Sequence, residues 1–340
     1  MENIRFALNA ILPILLVMAA GALARRFTSF DKEFFKRLNA LSFRFFLSVN
    51  VFCNIYNVED IRSLNWGVLA FILAGLFLCM FIGLLGAALT TKDLFKRGPI
   101  IQAAFRSNNA IIGVSLAAAL ATTNVTETVA FASLSSGLVT PLINIAAVIV
   151  LTVCSAGKDA SRQSLPSFGQ WCKKILTNPL VLGAALGFVC LLVRSLLPTV
   201  GGVPVFTFRR YLPAVYEALS TLSKAASPVM LFCLGATLDF ASVKLMWREI
   251  GVGIFLRIVL CPVIVIGLAL LLREPLGITR VEIPGLIAVF ASPVAVSSAV
   301  TTQECGGNTD LANHLVVWSS VLSMGTLFLF ILFLRGIGML

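Results

Sequence analysis

Ile101-Gln102-Ala103-Ala104-Phe105-Arg106-Ser107-Asn108-Asn109-Ala110-Ile111-Ile112-Gly113-Val114-Ser115 reads as an apolar helix with a cation and two adjacent asparagines at its middle. A shift of 184 positions lays it over Ala288-Val289-Phe290-Ala291-Ser292-Pro293-Val294-Ala295-Val296-Ser297-Ser298-Ala299, with Asn108-Asn109 opposite Ser292-Pro293. Proline removes a backbone donor and clashes with the preceding turn, while Asn and Ser offer side-chain partners to the freed groups. Both segments therefore carry a helix-weakening pair near mid-length. Unwound backbone at membrane depth is tolerated only where protein buries it or it lines a watery cavity. Taken singly, the asparagines would bond neighbouring helices and Pro293 would kink its own; two breaks at corresponding positions point instead to a binding site.

The surrounding chain is a membrane chain. Its 340 residues are 59% hydrophobic and 12% charged, with a mean hydropathy of +0.98, which excludes a soluble enzyme, a nucleic-acid binder and a disordered protein. The net charge of +11 then records basic loops on one side of a bilayer. Six uninterrupted apolar runs cover residues 6–24, 63–91, 128–157, 175–193, 283–303 and 311–334. Four more carry one cation each: 38–58 with Arg44, 99–121 with Arg106, 215–238 with Lys224 and 250–272 with Arg257. Each is long enough to cross a hydrocarbon core of roughly 30 Å as helix, so ten spans are expected.

Arg25, Arg26, Lys32, Lys36 and Arg37 follow the first run and only Arg5 precedes it. That order reads as a retained helix with its N-terminus outside rather than a cleaved signal, despite the small residues Ala22-Leu23-Ala24. Alternate loops hold 14 Lys and Arg on one side and 7 on the other. The richer side is read as cytoplasmic, which places both termini outside the inner membrane. The segment 157–177 becomes a cytoplasmic linker between a first five-helix repeat, 1–156, and a second, 178–340. An odd number of spans per half inverts the second half relative to the first. Short matches agree with this cut: Leu12-Pro13 through Gly21 with Asn178-Pro179 through Gly187, Asn39-Ala40-Leu41-Ser42 with Glu217-Ala218-Leu219-Ser220, and Asn124 and Ser135-Ser136 with Asn308 and Ser319-Ser320.

Charges within a bilayer are costly and usually functional. Here Arg44, Arg106, Lys224 and Arg257 lie inside spans, whereas Glu127, Glu217, Asp239, Glu304 and Asp310 fall near span ends or in loops. That imbalance favours an anionic solute over a cation. Half-helix N-termini at the breaks would add positive dipole ends, and an arginine can hold a carboxylate through two parallel hydrogen bonds. Arg106, one turn before Asn109, leads the candidates; Lys224 follows, four residues before Pro228, which aligns with Asn50. Arg44 and Arg257 are as well explained by snorkelling or by pairing with backbone carbonyls. Gly113, Ser115, Ser292, Val294 and Ser297 complete the expected substrate-binding set beside Arg106, Asn108, Asn109, Pro293, Asn50, Lys224 and Pro228. The eight cysteines are scattered and His314 is the one histidine, so no metal site, cofactor or catalytic nucleophile is expected.

Gln102 through Asn109 with Ile112-Gly113, Asn178-Pro179-Leu180, Ser227-Pro228 through Leu238, and Ser292-Pro293-Val294-Ala295 together resemble the auxin efflux carrier family, in particular its bacterial members called malate or malonate permeases. The resemblance spans essentially the whole chain. It implies an all-α membrane fold of ten helices in two inverted repeats, with broken helices 4 and 9 crossing as in sodium/proton antiporters and bile-acid symporters. It further implies a secondary transporter of carboxylated metabolites working by an elevator motion, and, by analogy, a homodimer. Two features depart from the family. Val114-Ser115 stands where a proline is expected in the first break, and the large loop of the plant carriers is missing. A sodium-coupled symporter of another solute class, and a non-transporting sensor with the same fold, are the competing readings.

Overall fold

The computed structural model describes residues 2–57, 65–109, 113–121, 124–156, 173, 176–196, 199–200, 203–204, 207–238 and 243–340. Apart from residues 173, 176 and 177, the expected linker 157–177 lies outside the described residues.

Each apolar segment singled out in the sequence contains helix among its described residues. In chain order these are α1 (Glu2–Phe27), α2 (Lys32–Tyr56), α3 (Trp66–Thr90), α4 (Leu94–Phe105), α5 (Val114–Leu120), α6 (Val125–Ala156) and α7 (Pro179–Leu196). A two-residue hairpin, β1 (Thr199–Val200) against β2 (Val203–Pro204), and the short α8 (Phe208–Tyr211) lead into α9 (Pro213–Thr237). The chain closes with α10 (Val243–Leu271), α11 (Arg273–Leu276), α12 (Ile283–Phe290), α13 (Ser297–Glu304) and α14 (Thr309–Gly336). Among the described residues, α2, α3, α9, α10, α14 and the Ser135–Ser155 stretch of α6 are long and apolar enough to cross a membrane. Helix starts follow local chemistry: the side chains of Asp31, Asn65, Asp93 and Asn308 each accept from backbone amides of the first turn, supplying partners that the helix itself cannot.

α2 and α10 each carry a turn of π-helix, Ser42–Leu47 and Leu256–Leu260. Each such turn contains one of the arginines flagged within spans, Arg44 and Arg257. A π turn adds a residue to the helical circuit and so re-aims the side chains around it, which is why such turns gather at functional positions.

The helices sort into two groups by their packing. α1 lies along α9 and α2 along α7, while α3, α6, α10 and α14 pack around the two interrupted helices, α4 with α5 and α12 with α13. The first group depends on close approach at glycine. A Cβ on Gly21 of α1 would overlap the Phe232 carbonyl oxygen of α9, and one on Gly235 of α9 would overlap that of Met18. In α7, Gly183 and Gly187 play the same part against Ser48 and Ile55 of α2. Small residues let membrane helices approach until backbone packs on backbone, which replaces the hydrophobic drive that lipid cannot supply.

Gly21→Ala and Gly235→Ala should therefore each cost about 1–3 kcal/mol through overpacking. Melting of the purified protein in detergent should report this as a lower midpoint, whereas Gly251→Ala, with nothing within 4 Å of its Cβ, should melt with the wild type. Equal midpoints for all three would refute the close crossing.

Candidate functional site

The two interruptions meet. α4 ends at Phe105, residues 106–108 are unwound, helical backbone is found again at Asn109 and α5 begins at Val114; α12 ends at Phe290 and α13 begins at Ser297. Between them, Ser107 and Val294 form an antiparallel bridge. The amide of Asn108 donates to the Pro293 carbonyl (2.9 Å) and that of Ala295 to the Arg106 carbonyl (3.0 Å). The Val294 amide donates to Ser319 Oγ at 3.0 Å. Each unwound stretch thus supplies partners for amides that a continuous helix would have satisfied. The first break occurs without a proline. Arg106 already has extended dihedrals (φ −93°, ψ 93°), one turn earlier than Asn109, because its backbone pairs with the other break. Prolines 99, 141 and 228, by contrast, lie inside helices that continue through them.

Arg106 is 1% exposed and held by three side chains. Its Nη1 donates to Gln102 Oε1 (3.2 Å), and its Nη2 donates to Asn144 Oδ1 (2.7 Å) and to Ser297 Oγ (3.0 Å). Among the described residues its Nε has no acceptor, and neither do the side-chain Nδ2 atoms of Asn108 and Asn109. Asn109 Oδ1 is used, accepting from Thr140 Oγ1 at 3.3 Å. The surplus around this cation consists largely of N–H donors, and no described Asp or Glu lies within ion-pair distance of it. A buried charge in that condition is strongly unfavourable until an acceptor-rich group meets it.

These groups line a polar cavity of about 110 Å³, room for a small solute or several waters. One wall is Arg106, Ser107, Asn108, Asn109, Thr140, Ile143, Asn144 and Ala295 to Ser297; the facing wall is Leu47, Asn50 and Asn54 of α2 with Ser227 and Met230 of α9. The cavity therefore lies between the two helix groups. Asn50 Nδ2 donates to Ser223 Oγ (3.0 Å) and its Oδ1 accepts from Asn54 (3.2 Å), tying α2 to α9 behind the wall. Larger cavities, between α10 and α14 and between α3 and α6, are lined almost wholly by apolar side chains and offer a solute nothing to bind polar groups.

Of the expected residues, Arg106, Asn108, Asn109, Ser297 and Asn50 line the cavity. Ser292, Pro293 and Val294 act through backbone groups in the crossing. Gly113 packs at the bend, where a Cβ would come within 3.0 Å of Ala288. The Ser115 side chain lies outside the described residues. Lys224 and Pro228 are exposed and not in the lining: the face of α9 toward the cavity carries Ser223, Ser227 and Met230, and helical geometry turns the residue after each away from it. Arg257 is the reverse case. It is 0% exposed and, among the described residues, donates to the backbone carbonyls of Ala104, Val289 and Ser292. Sequence reasoning passed over Asn144, a lone amide side chain in an apolar stretch, and Asn54, one helical turn after Asn50, and those placements were the available signal.

A multi-pass helical protein with paired helix breaks around a polar cavity at an interface between two helix groups belongs to the membrane transporters. The family model described as membrane transport protein matches residues 6–331, and the chain belongs to that family, the auxin efflux carrier family. A comparison with curated proteins finds no match.

Asn144→Ala removes the shortest bond to the Arg106 guanidinium and leaves part of a buried cation unpaired. A loss of about 1.5–3 kcal/mol is expected for a hydrogen bond to a charged group, read as a lowered unfolding midpoint in detergent.

Proposed function

We propose that the protein is a secondary transporter of small organic anions, carboxylates of the size of malate or malonate or auxin-like weak acids, bound at the crossing of the two broken helices. The observation that carries this reading is the donor surplus around Arg106. Its Nε and the side-chain Nδ2 atoms of Asn108 and Asn109 are buried beside a polar cavity without acceptors among the described residues. A carboxylate presents up to four lone-pair sites and a negative charge, so it answers both the unpaired donors and the uncompensated cation. A metal cation or an ammonium solute would add charge of the wrong sign.

The architecture we infer is two inverted five-helix repeats, 1–156 and 178–340, joined by 157–177. It is supported by an exchange of contacts: Gly21 of α1 packs on α9, and Gly187 of α7, its match in the second half, packs on α2. The mechanism we infer is alternating access, with the helices around the breaks moving against the panel of α1, α2, α7 and α9. The bonds spanning the two groups suit a movable joint. Arg44 pairs with Glu304 at 3.2 Å, Asn39 Nδ2 donates to Gln303 Oε1 at 3.3 Å, and Gln303 Nε2 donates to the Lys36 carbonyl at 3.0 Å. With Arg44 largely exposed, the ion pair is worth no more than about 1 kcal/mol, which tethers the groups without locking them. The cytoplasmic membrane, with the side of loop 25–37 facing inward, is the location this reading assigns.

The test is uptake of radiolabelled malate, malonate and indole-3-acetate into proteoliposomes, with sodium, pH and membrane potential varied separately. Wild-type protein should give saturable flux of at least one of these acids, and Arg106→Ala should lower kcat/KM at least tenfold, since a charge-assisted bond of about 1.5–3 kcal/mol is lost. Saturable flux untouched by Arg106→Ala would move the site elsewhere; no flux of any acid under any gradient would refute the anion reading. Asn144→Asp adds a finer check. A carboxylate there pairs with Arg106 internally and competes with the solute, so transport should fall while the melting midpoint holds or rises.

A further inference from the structure

Arg257 is buried as completely as any side chain in the protein, yet it touches neither the cavity nor, among the described residues, any carboxylate. Its three acceptors among the described residues are backbone carbonyls at the breaks: Nε donates to Ser292 at 2.8 Å, Nη1 to Ala104 at 3.1 Å and Nη2 to Val289 at 3.0 Å. Ala104 lies in the last turn of α4, Val289 in the last turn of α12, and Ser292 just beyond it. The final carbonyls of a helix have no partners within it and together carry about half a negative charge. Two helices ending side by side therefore present about one negative charge, and one guanidinium answers both ends. The planar fork has donors on several edges, which allows one group to bind two helices at once. The π turn Leu256–Leu260 carries it.

We propose that Arg257 is a positioning residue for the solute site. It joins the ends of α4 and α12, holds the two unwound stretches in register, and has its own charge cancelled by the helix ends, which leaves Arg106 as the cation that a solute meets. The site role rests on the reading of the crossing as the solute site; the register role does not. Arg106 and Ser107 follow the α4 end directly, and Pro293 and Val294 follow Ser292. A shift of either end relative to the other would break the bridge between Ser107 and Val294.

That bridge supplies a readout independent of transport. Ser107 and Val294 form the pair flanked by, rather than sharing, the two backbone bonds, a geometry with Cα atoms roughly 4.5 Å apart that accommodates a disulfide. In a chain whose native cysteines are replaced, Ser107→Cys with Val294→Cys should oxidise rapidly. Adding Arg257→Lys, which keeps the charge but loses the fork, should slow cross-linking two- to fivefold, and adding Arg257→Gln should slow it tenfold or more. Without the cysteine pair, the KM for the transported acid should rise in the same order, Arg below Lys below Gln, with kcat changing less than threefold. A general loss of stability would instead lower the amount of active protein and spare KM.

Cross-linking at the wild-type rate in Arg257→Lys would overturn the proposal, even if Arg257→Gln fails to fold. Slowed cross-linking with an unchanged KM would overturn the role in the site. If wild-type protein carries no acid at all, slowed cross-linking would still establish the register role while the anion reading falls.

Discussion

Backbone amides and carbonyls inside a bilayer must find partners within the protein, because lipid offers none. Most of this chain meets that demand by forming helix. Where it does not, at 106–108 and 291–296, the two unwound stretches meet it jointly: each lends the other a carbonyl or an amide, Ser319 supplies one more acceptor, and Arg257 supplies donors for the carbonyls left at the helix ends. Neither break is self-sufficient. The cavity, the burial of Arg106 and the arrangement of the helices around the crossing all follow from having to bring the breaks together.

The two buried arginines divide the work by what surrounds them. Arg257 has its three donor groups matched to carbonyls whose partial charges offset its own, so it behaves as part of the scaffold. Arg106 is held by neutral side chains, Gln102, Asn144 and Ser297, that orient it without neutralising it. Residue type alone does not distinguish them, since both are single arginines in apolar helices. A cation left uncompensated beside a polar cavity is the feature that makes an anion carrier the reading with the best physical support.

The separation into two helix groups has a different origin. Glycine contacts between α1 and α9 and between α2 and α7 give tight, rigid crossings, whereas the junction between groups is bridged by polar side chains such as Gln303 and by the partly exposed pair Arg44 and Glu304. Tight van der Waals packing resists sliding, and exchangeable polar contacts permit it. A cavity placed at that junction, with walls contributed by both groups, is what a carrier that exposes its solute alternately to two sides requires.

Much of this was legible in the sequence. Hydropathy alone located the helical segments, because apolar length is what a bilayer selects. The pairs Asn108-Asn109 and Ser292-Pro293 marked both breaks, because those residue types weaken a helix wherever they stand. What the sequence could not decide was which polar residues converge. Lys224 promised a second cation and lies on the exposed face of α9, while Ser227 and Met230 of the same helix reach the cavity. Asn144 proved to hold Arg106, and Arg257, open to a reading as a snorkelling residue, proved to clamp two helix ends. Helical periodicity sets which residues share a face, but the direction in which that face points is settled only when the helices pack.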